Sequence, residues 1–441
     1  MFKRLFYFSL IVPILGFSQH QIKGTFSPAT EFKATMLYQL SAGNETYTSY
    51  GSVNQQGVMQ IDLDTSMPVG VYKLVYALPQ SDHNFEFIYN GKENVVFNFD
   101  RASGVKFINS KENQLFQSYK QTITSAQREL MKFYTQKTVD SIKYRKHFQH
   151  IDSLQNSYEI LSKGMIASHF ILASKPYIPS KVLTTKAYLE NAKSHYFKPM
   201  NFQDTILQSS NFIIDKSIDY IFGMHASKNP SFQDYTSNID AVYQAFSNTK
   251  PAYQLISLNT LNDFLIKSQQ EALAVFLTKT YLLPLAIELN ATERMLSLQT
   301  FLRVAVGAKA PNFDIQNPIT GLKTSLYDLK EATTYVLIFW SSGCGHCMDE
   351  LPKVHSYISK YPEKDLKIIA IGLEKTPQPW GETIKMWPNF THGIAEGKWN
   401  NSIPVNYNIK ATPSYFVLDA SKTITSKPYL LKDLKAVLDQ K

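Results

Sequence analysis

The chain has 441 residues, with 45 Lys and Arg against 36 Asp and Glu, a formal charge of +9 and only two cysteines. Its basic residues form no runs, which excludes a nucleic-acid footprint and reads as a solvated surface. The 26 Tyr and 28 Phe are dispersed rather than gathered into a platform, and the length predicts two or three domains.

The first segment carries two basic residues in Met1–Arg4, an apolar run over Leu5–Leu15, and small residues at the −3 and −1 positions of Gly16-Phe17-Ser18. This pattern predicts a signal peptide over residues 1–18, cleaved after Ser18 to leave Gln19 first. The run is short for a membrane span, and no cysteine follows it to carry a lipid anchor. The expected product is an exported protein, soluble in the periplasm or cell envelope, and no later apolar stretch is long enough to cross a bilayer.

From 19 to 105 the pattern is β. Alternating runs at Phe32–Tyr38, Val58–Leu63 and Val71–Tyr76 are separated by turn signals at Asn44, Gln55-Gln56-Gly57 and Pro68-Val69-Gly70. Two more runs, Phe85–Tyr89 and Val95–Phe99, flank the turn dipeptide Asn90-Gly91. A small antiparallel β-sandwich is expected. From 106 to 303 the period becomes helical, with helices predicted at Gln114–Lys137, Asp140–Leu172, Thr205–Met224 and Asn259–Leu283. Ser268-Gln269-Gln270-Glu271 reads as a capping box. His147 and His150 could share a helical face, but nothing acidic joins them, so surface histidines are expected rather than a metal site.

Residues 304–441 read as an α/β domain. Its apolar strand, Thr334–Trp340, leads into Ser341-Ser342-Gly343-Cys344-Gly345-His346-Cys347-Met348-Asp349-Glu350-Leu351-Pro352, which holds both cysteines. The C-x-x-C spacing lets the two sulfurs close a small disulfide. Cys344 falls at the start of the following helix, where open N–H groups and the helix dipole stabilise a thiolate. Three other readings compete: a structural bridge, a metal site through Cys344, His346 and Cys347, and an inert buried pair. A bridge this short closes little loop entropy. A closed zinc site wants four ligands, and no second ligand pair exists. Thiol–disulfide exchange is the stronger reading, and neither a cofactor nor a metal is expected. Downstream, Ile409-Lys410-Ala411-Thr412-Pro413 precedes the β-rich run Ser414–Leu418.

On these motifs the segment from Gly307 to Lys441 resembles the TlpA/ResA type of thioredoxin-like domain, within the AhpC/TSA-like group. Gly307-Ala308-Lys309-Ala310-Pro311-Asn312-Phe313 is similar to that family's G-x-x-A-P-x-F entry segment. Phe339-Trp340 stands before the active-site loop as in the family, and Cys347–Pro352 matches C-x-x-E-x-P. The resemblance implies a thiol–disulfide oxidoreductase that acts on disulfide-containing client proteins and is re-reduced by a membrane electron carrier. It implies a redox-active disulfide between Cys344 and Cys347, with Cys344 attacking and Cys347 resolving. It also implies a cis-proline at Pro413, whose neighbour Thr412 offers its backbone to the client strand. Glu350 takes the place of the family's buried acid, which would tune Cys347, and His346 would favour the Cys344 thiolate. The departures are Gly343, where an aromatic or Thr is usual, and the Gly345-His346 dipeptide, which also occurs in protein disulfide isomerases. Ile338 stands where thioredoxin carries a buried Asp. A peroxidatic site resembles P-x-x-x-T-x-x-C, and Leu337 here occupies the proline position. The β-rich segment resembles a domain that precedes thioredoxin-like domains in some exported bacterial proteins. A reductase is the leading expectation. An oxidase or isomerase is the alternative, as is an envelope scaffold whose thioredoxin-like domain is redox-inactive.

Overall fold

The computed structural model describes residues 20–64, 66–134, 140–225 and 227–440. The expected signal peptide and its cleavage after Ser18 lie outside the described residues. The chain divides between Ser257 and Leu258 into two compact units. The helical residues from Leu258 onward therefore group with the C-terminal sheet.

The first unit is built on two four-stranded sheets. Strands β1 (Gln21–Ser27), β2 (Ala34–Ser41), β3 (Asn44–Ser52), β4 (Val58–Asp62), β5 (Gly70–Val75), β6 (Asn84–Tyr89), β7 (Val95–Asp100) and β8 (Gly104–Asn109) pair in the orders β4-β1-β7-β8 and β3-β2-β5-β6. Alternation explains the layering. Ile22 and Phe26 of β1 and Val95, Phe97 and Phe99 of β7 point inward and meet Leu37, Tyr72, Leu74 and Phe87 of the other sheet in one core. Gly24 is required there, since a Cβ would fall 2.2 Å from the Phe97 ring. Two details differ from the sequence reading. β1 and β7 run parallel, so that sheet is mixed. The Asn90-Gly91 turn does not close a hairpin, because β6 ends one sheet and β7 lies inside the other.

Helices cover the sheet edge. In α1 (Lys111–Tyr134) the buried Asn113 accepts from Ile88 N and donates to Ile88 O, both at 2.7 Å, so its amide stands in for a neighbouring strand beside β6. The helix predicted over Asp140–Leu172 is two: α2 (Ser141–Leu161), capped by Asp140, and α3 (Ala167–Ala173). Gly164, at φ +78°, lies in the break. His147 packs on Phe133 at 5.4 Å between ring centroids, and His150 is exposed. There follow α4 (Thr185–His195), α5 (Thr205–Gln208), α6 (Phe212–Gly223) and α7 (Phe232–Phe246). The sequence reading missed α7, although Ser231 and Asp234 form a reciprocal capping box at its start.

The unit division falls inside α8 (Pro251–Lys267). Then come α9 (Glu271–Leu277), α10 (Leu283–Glu288) and α11 (Thr292–Arg303). The predicted helix Asn259–Leu283 is interrupted at Gln269, which adopts φ +58°. The expected capping box there is not formed, because Gln270 is the cap residue and its side chain makes no cap bond. Glu271 instead accepts from Val306 N at 2.9 Å and pairs with Lys427 at 2.7 Å.

The rest of the second unit is a sheet with covered faces. A small ribbon, β9 (Asp314–Asn317) with β10 (Leu322–Ser325), precedes the five strands β11 (Thr334–Trp340), β12 (Leu366–Glu374), β13 (Thr391–Glu396), β14 (Ser414–Asp419) and β15 (Ile424–Ser426), in the order β13-β12-β11-β14-β15. β11 is central, parallel to β12 and antiparallel to β14. Its whole length is buried, which explains the unbroken apolar run. Val336, Ile338 and Trp340 enter one core with α12 (Gly345–Ile358) and α15 (Leu431–Leu438); Tyr335, Leu337 and Phe339 enter the core on the other face. Short helices α13 (Trp380–Thr383) and α14 (Ser402–Asn406) fill the connections. No helix among the described residues is long and apolar enough to cross a membrane.

Candidate active site

The site is built where central strand β11 ends. Trp340 is fully buried and anchors the strand, with its ring T-shaped against Trp387 at 5.2 Å. Four residues later Cys344 is the N-cap of α12, and its Sγ accepts from Cys347 N at 3.2 Å. Cys344 and Cys347 form a disulfide. The helix explains their unequal exposure. Cys347, Leu351, Val354 and Ile358 recur at four-, three- and four-residue spacing and form its buried face. Cys347 is 0% exposed, whereas Cys344, at the helix mouth, is only partly covered.

The loop before β14 closes the other side. The Thr412–Pro413 peptide is cis, and the Thr412 carbonyl oxygen lies 3.4 Å from Cys344 Sγ. Cys344, Thr412 and Pro413 are therefore brought together. A groove of about 930 Å³, lined by Thr412 and Pro413 but not by the cysteines, runs past His346, Glu350 and Tyr415 to Tyr429 and Leu430. Tyr429 is 77% exposed. Lys353, Lys427 and Lys432 line the same groove.

His346 is exposed beside the pair. Glu350 is half-buried rather than enclosed, and its Oε1 accepts from Leu431 N at 2.6 Å, at the first turn of α15. Tyr415 is buried nearby. Burial first, and then the Glu350 carboxylate, push its phenol above the usual range.

Glu374 was missed by sequence reasoning. It ends β12, is 5% exposed, and accepts from Ser342 N at 2.5 Å. A buried carboxylate thus holds the loop two residues before Cys344. The only hint in sequence was an acid closing the apolar run Leu366–Leu373. Among the described residues no three His, Cys, Asp or Glu side chains converge as a metal site would need.

Residues 332–424 match the thioredoxin-like family. A thiol-disulfide oxidoreductase ResA of Bacillus cereus is 29% identical over 126 residues, covering 28% of this chain and 70% of the relative. Another ResA, of Bacillus thuringiensis, is 29% identical over 118 residues, covering 26% of this chain and 65% of the relative. The matches thus span about two thirds of those proteins and little more than a quarter of this one. A thioredoxin-like protein from Bacteroides caccae aligns at 20% identity and TM-score 0.45 over 60% of this chain and 97% of its own. The C-terminal domain is thioredoxin-like, and the curated relatives it matches are thiol–disulfide oxidoreductases. Within that class its sequence is similar to ResA.

Proposed function

We propose that the chain is an exported thiol–disulfide oxidoreductase that reduces protein disulfides. One observation carries the reading: a half-exposed Cys344 at a helix N-terminus, bonded to a buried Cys347 and facing the Thr412 carbonyl. In the dithiol state the Cys344 thiolate attacks one sulfur of a client disulfide. That S–S bond breaks, a mixed disulfide forms, and the released client sulfur takes up a proton. Cys347 then gives up its proton and attacks Cys344 Sγ. The second client thiolate leaves, and two electrons have passed from the pair to the client. Thr412 and Pro413 seat the client strand, while His346 and Glu350 tune the two thiols. A membrane electron carrier restores the dithiol. Export is supported by the composition of residues 1–18.

Cys344→Ser should abolish reduction of insulin disulfides, whereas Cys347→Ala should accumulate mixed disulfides with clients. Retained reduction in Cys344→Ser would sink the mechanism. The reduction potential decides direction: near roughly −270 mV supports a reductase, and near roughly −120 mV an oxidase. The exposed His346, which as a cation would favour the Cys344 thiolate, is the observation on the oxidase side.

A further inference from the structure

The first unit holds a pocket of about 540 Å³ between β6, β8, α1 and α6. Its walls are aromatic, with Phe116, Phe170 and Phe212 in a chain of ring contacts at 5.1 and 5.4 Å. Phe85 and Phe107 face the same space. Five charged side chains also line it: Glu86, Asp215, Asp219, Lys120 and Lys216. Such a volume suits a small organic ligand.

Lys120, Asp215 and Asp219 reach solvent at the pocket's mouth, while Glu86 and Lys216 are partly buried. Among the described residues no ion pair joins any of the five. Lys120 Nζ sits 4.7 Å from the centre of the Phe116 ring, and Lys216 Nζ 5.7 Å from those of both Phe212 and Tyr196. Both oxygens of Glu86 accept from a single donor, Asn211 N, at 3.1 and 3.3 Å. Three carboxylates face two ammonium groups, so one negative charge is left over once the pH is high enough to ionise all three. Burial, aided by Asp215 and Glu45 and opposed by Asn211 and Lys73, pushes Glu86 up to about 7. Burial and Asp219 push Asp215 up to about 6, against Lys120 and Lys216. Burial lowers both lysines. Perturbed groups gathered in a cavity mark binding sites.

We infer that this pocket binds a small organic cation: an ammonium group on an apolar or aromatic body. The ammonium supplies the missing positive charge between Glu86 and Asp215. The body lies on the phenylalanine rings, whose faces also attract cations. The opposite choice, an anion drawn by the two lysines, would add to the surplus negative charge.

The test is calorimetric titration of the full chain with phenethylammonium, and with phenylpropionate as an anion of similar shape. At about pH 8 the cation should saturate one site, and its affinity should fall about tenfold or more by about pH 5.5, as both carboxylates take up protons. Glu86→Gln should cost about tenfold at the higher pH, and Asp215→Asn a similar factor. Lys120→Met removes a competing cation and should tighten binding. That opposite sign, with the wild-type pH profile, carries the test even if an acidic-site variant fails to fold. Three results would each overturn the assignment: no saturation by ~10 mM, a modest demand on so small a probe; phenylpropionate binding as tightly as the cation; or Lys120→Met weakening the cation.

Discussion

At the scale of single residues, two glutamates divide the work around the disulfide. Glu350 bonds the first free N–H of α15, and Glu374 bonds the loop before Cys344. Glu350→Ala should lower the stability of the reduced protein by about 1 kcal/mol, because a helix N-terminus loses its acceptor. Glu350→Gln keeps an acceptor and should unfold within a few degrees of wild type. If Glu350 also takes the Cys347 proton, Glu350→Gln will prolong the mixed disulfide without that loss of stability. Thermal unfolding and the decay of a trapped mixed disulfide, measured on both variants, separate the roles; equal decay rates in the Glu350→Gln variant and the wild-type protein would leave Glu350 a cap alone. Glu374→Ala should be costlier, about 1–3 kcal/mol, since it strands a loop N–H beside a buried site. The C-x-x-E-x-P spacing made Glu350 legible in the sequence. Its partner Leu431 was not, because the contact joins residues 81 apart. Glu374 carried no motif, and its meaning comes only from parallel pairing of β11 with β12.

Elements were legible where one local rule sufficed. The apolar run Thr334–Trp340 is a buried strand because both its faces are covered, and α12 starts at Cys344 as the cysteine spacing implied. Reading failed where tertiary pairing overrode local signals. Asn90-Gly91 turns between sheets instead of within one, and the helical periodicity through 162–166 and 268–270 did not reveal breaks at Gly164 and Gln269. The start of α12 supports a second prediction. Cys344 meets the helix's open N–H groups, whereas Cys347 lies on the face shared with Leu351 and Val354. In the reduced protein at mildly acidic pH, iodoacetamide should label Cys344 about tenfold faster than Cys347. Mass spectrometry of the labelled peptide reads the ratio. Faster labelling of Cys347 would exchange nucleophile and resolver, and equally slow labelling would point to a structural pair.

For the whole molecule, the two units should answer pH with opposite slopes. In the first unit Glu86 is raised from 4.5 to about 7 and Asp215 from 3.8 to about 6. Between those limits the folded state keeps protons that the unfolded chain has released, so stability is present at low pH and lost as pH rises. Over about pH 5 to 7 the loss should be on the order of 1–2 kcal/mol, carried mainly by Glu86, because Asp215 is exposed and solvent screens its share. In the second unit His392 is a buried group with a shifted ionisation in this window; it is 6% exposed and bonded through Nε2 to Trp387 O at 2.8 Å. Burial lowers it from 6.5 despite that bond. The unfolded chain then binds the extra proton, and stability rises with pH until the unfolded histidine is neutral. Protection factors from hydrogen exchange, corrected for the intrinsic pH dependence and read by segment, resolve the units. Protection of β5 and β6 should fall from about pH 5 to 7, while that of β11 and β12 should rise. Glu86→Gln should flatten the first slope and leave the second. Parallel slopes in both units would mean that neither group governs the stability of its own core, and a first-unit slope unchanged in Glu86→Gln would take Glu86 out of the account.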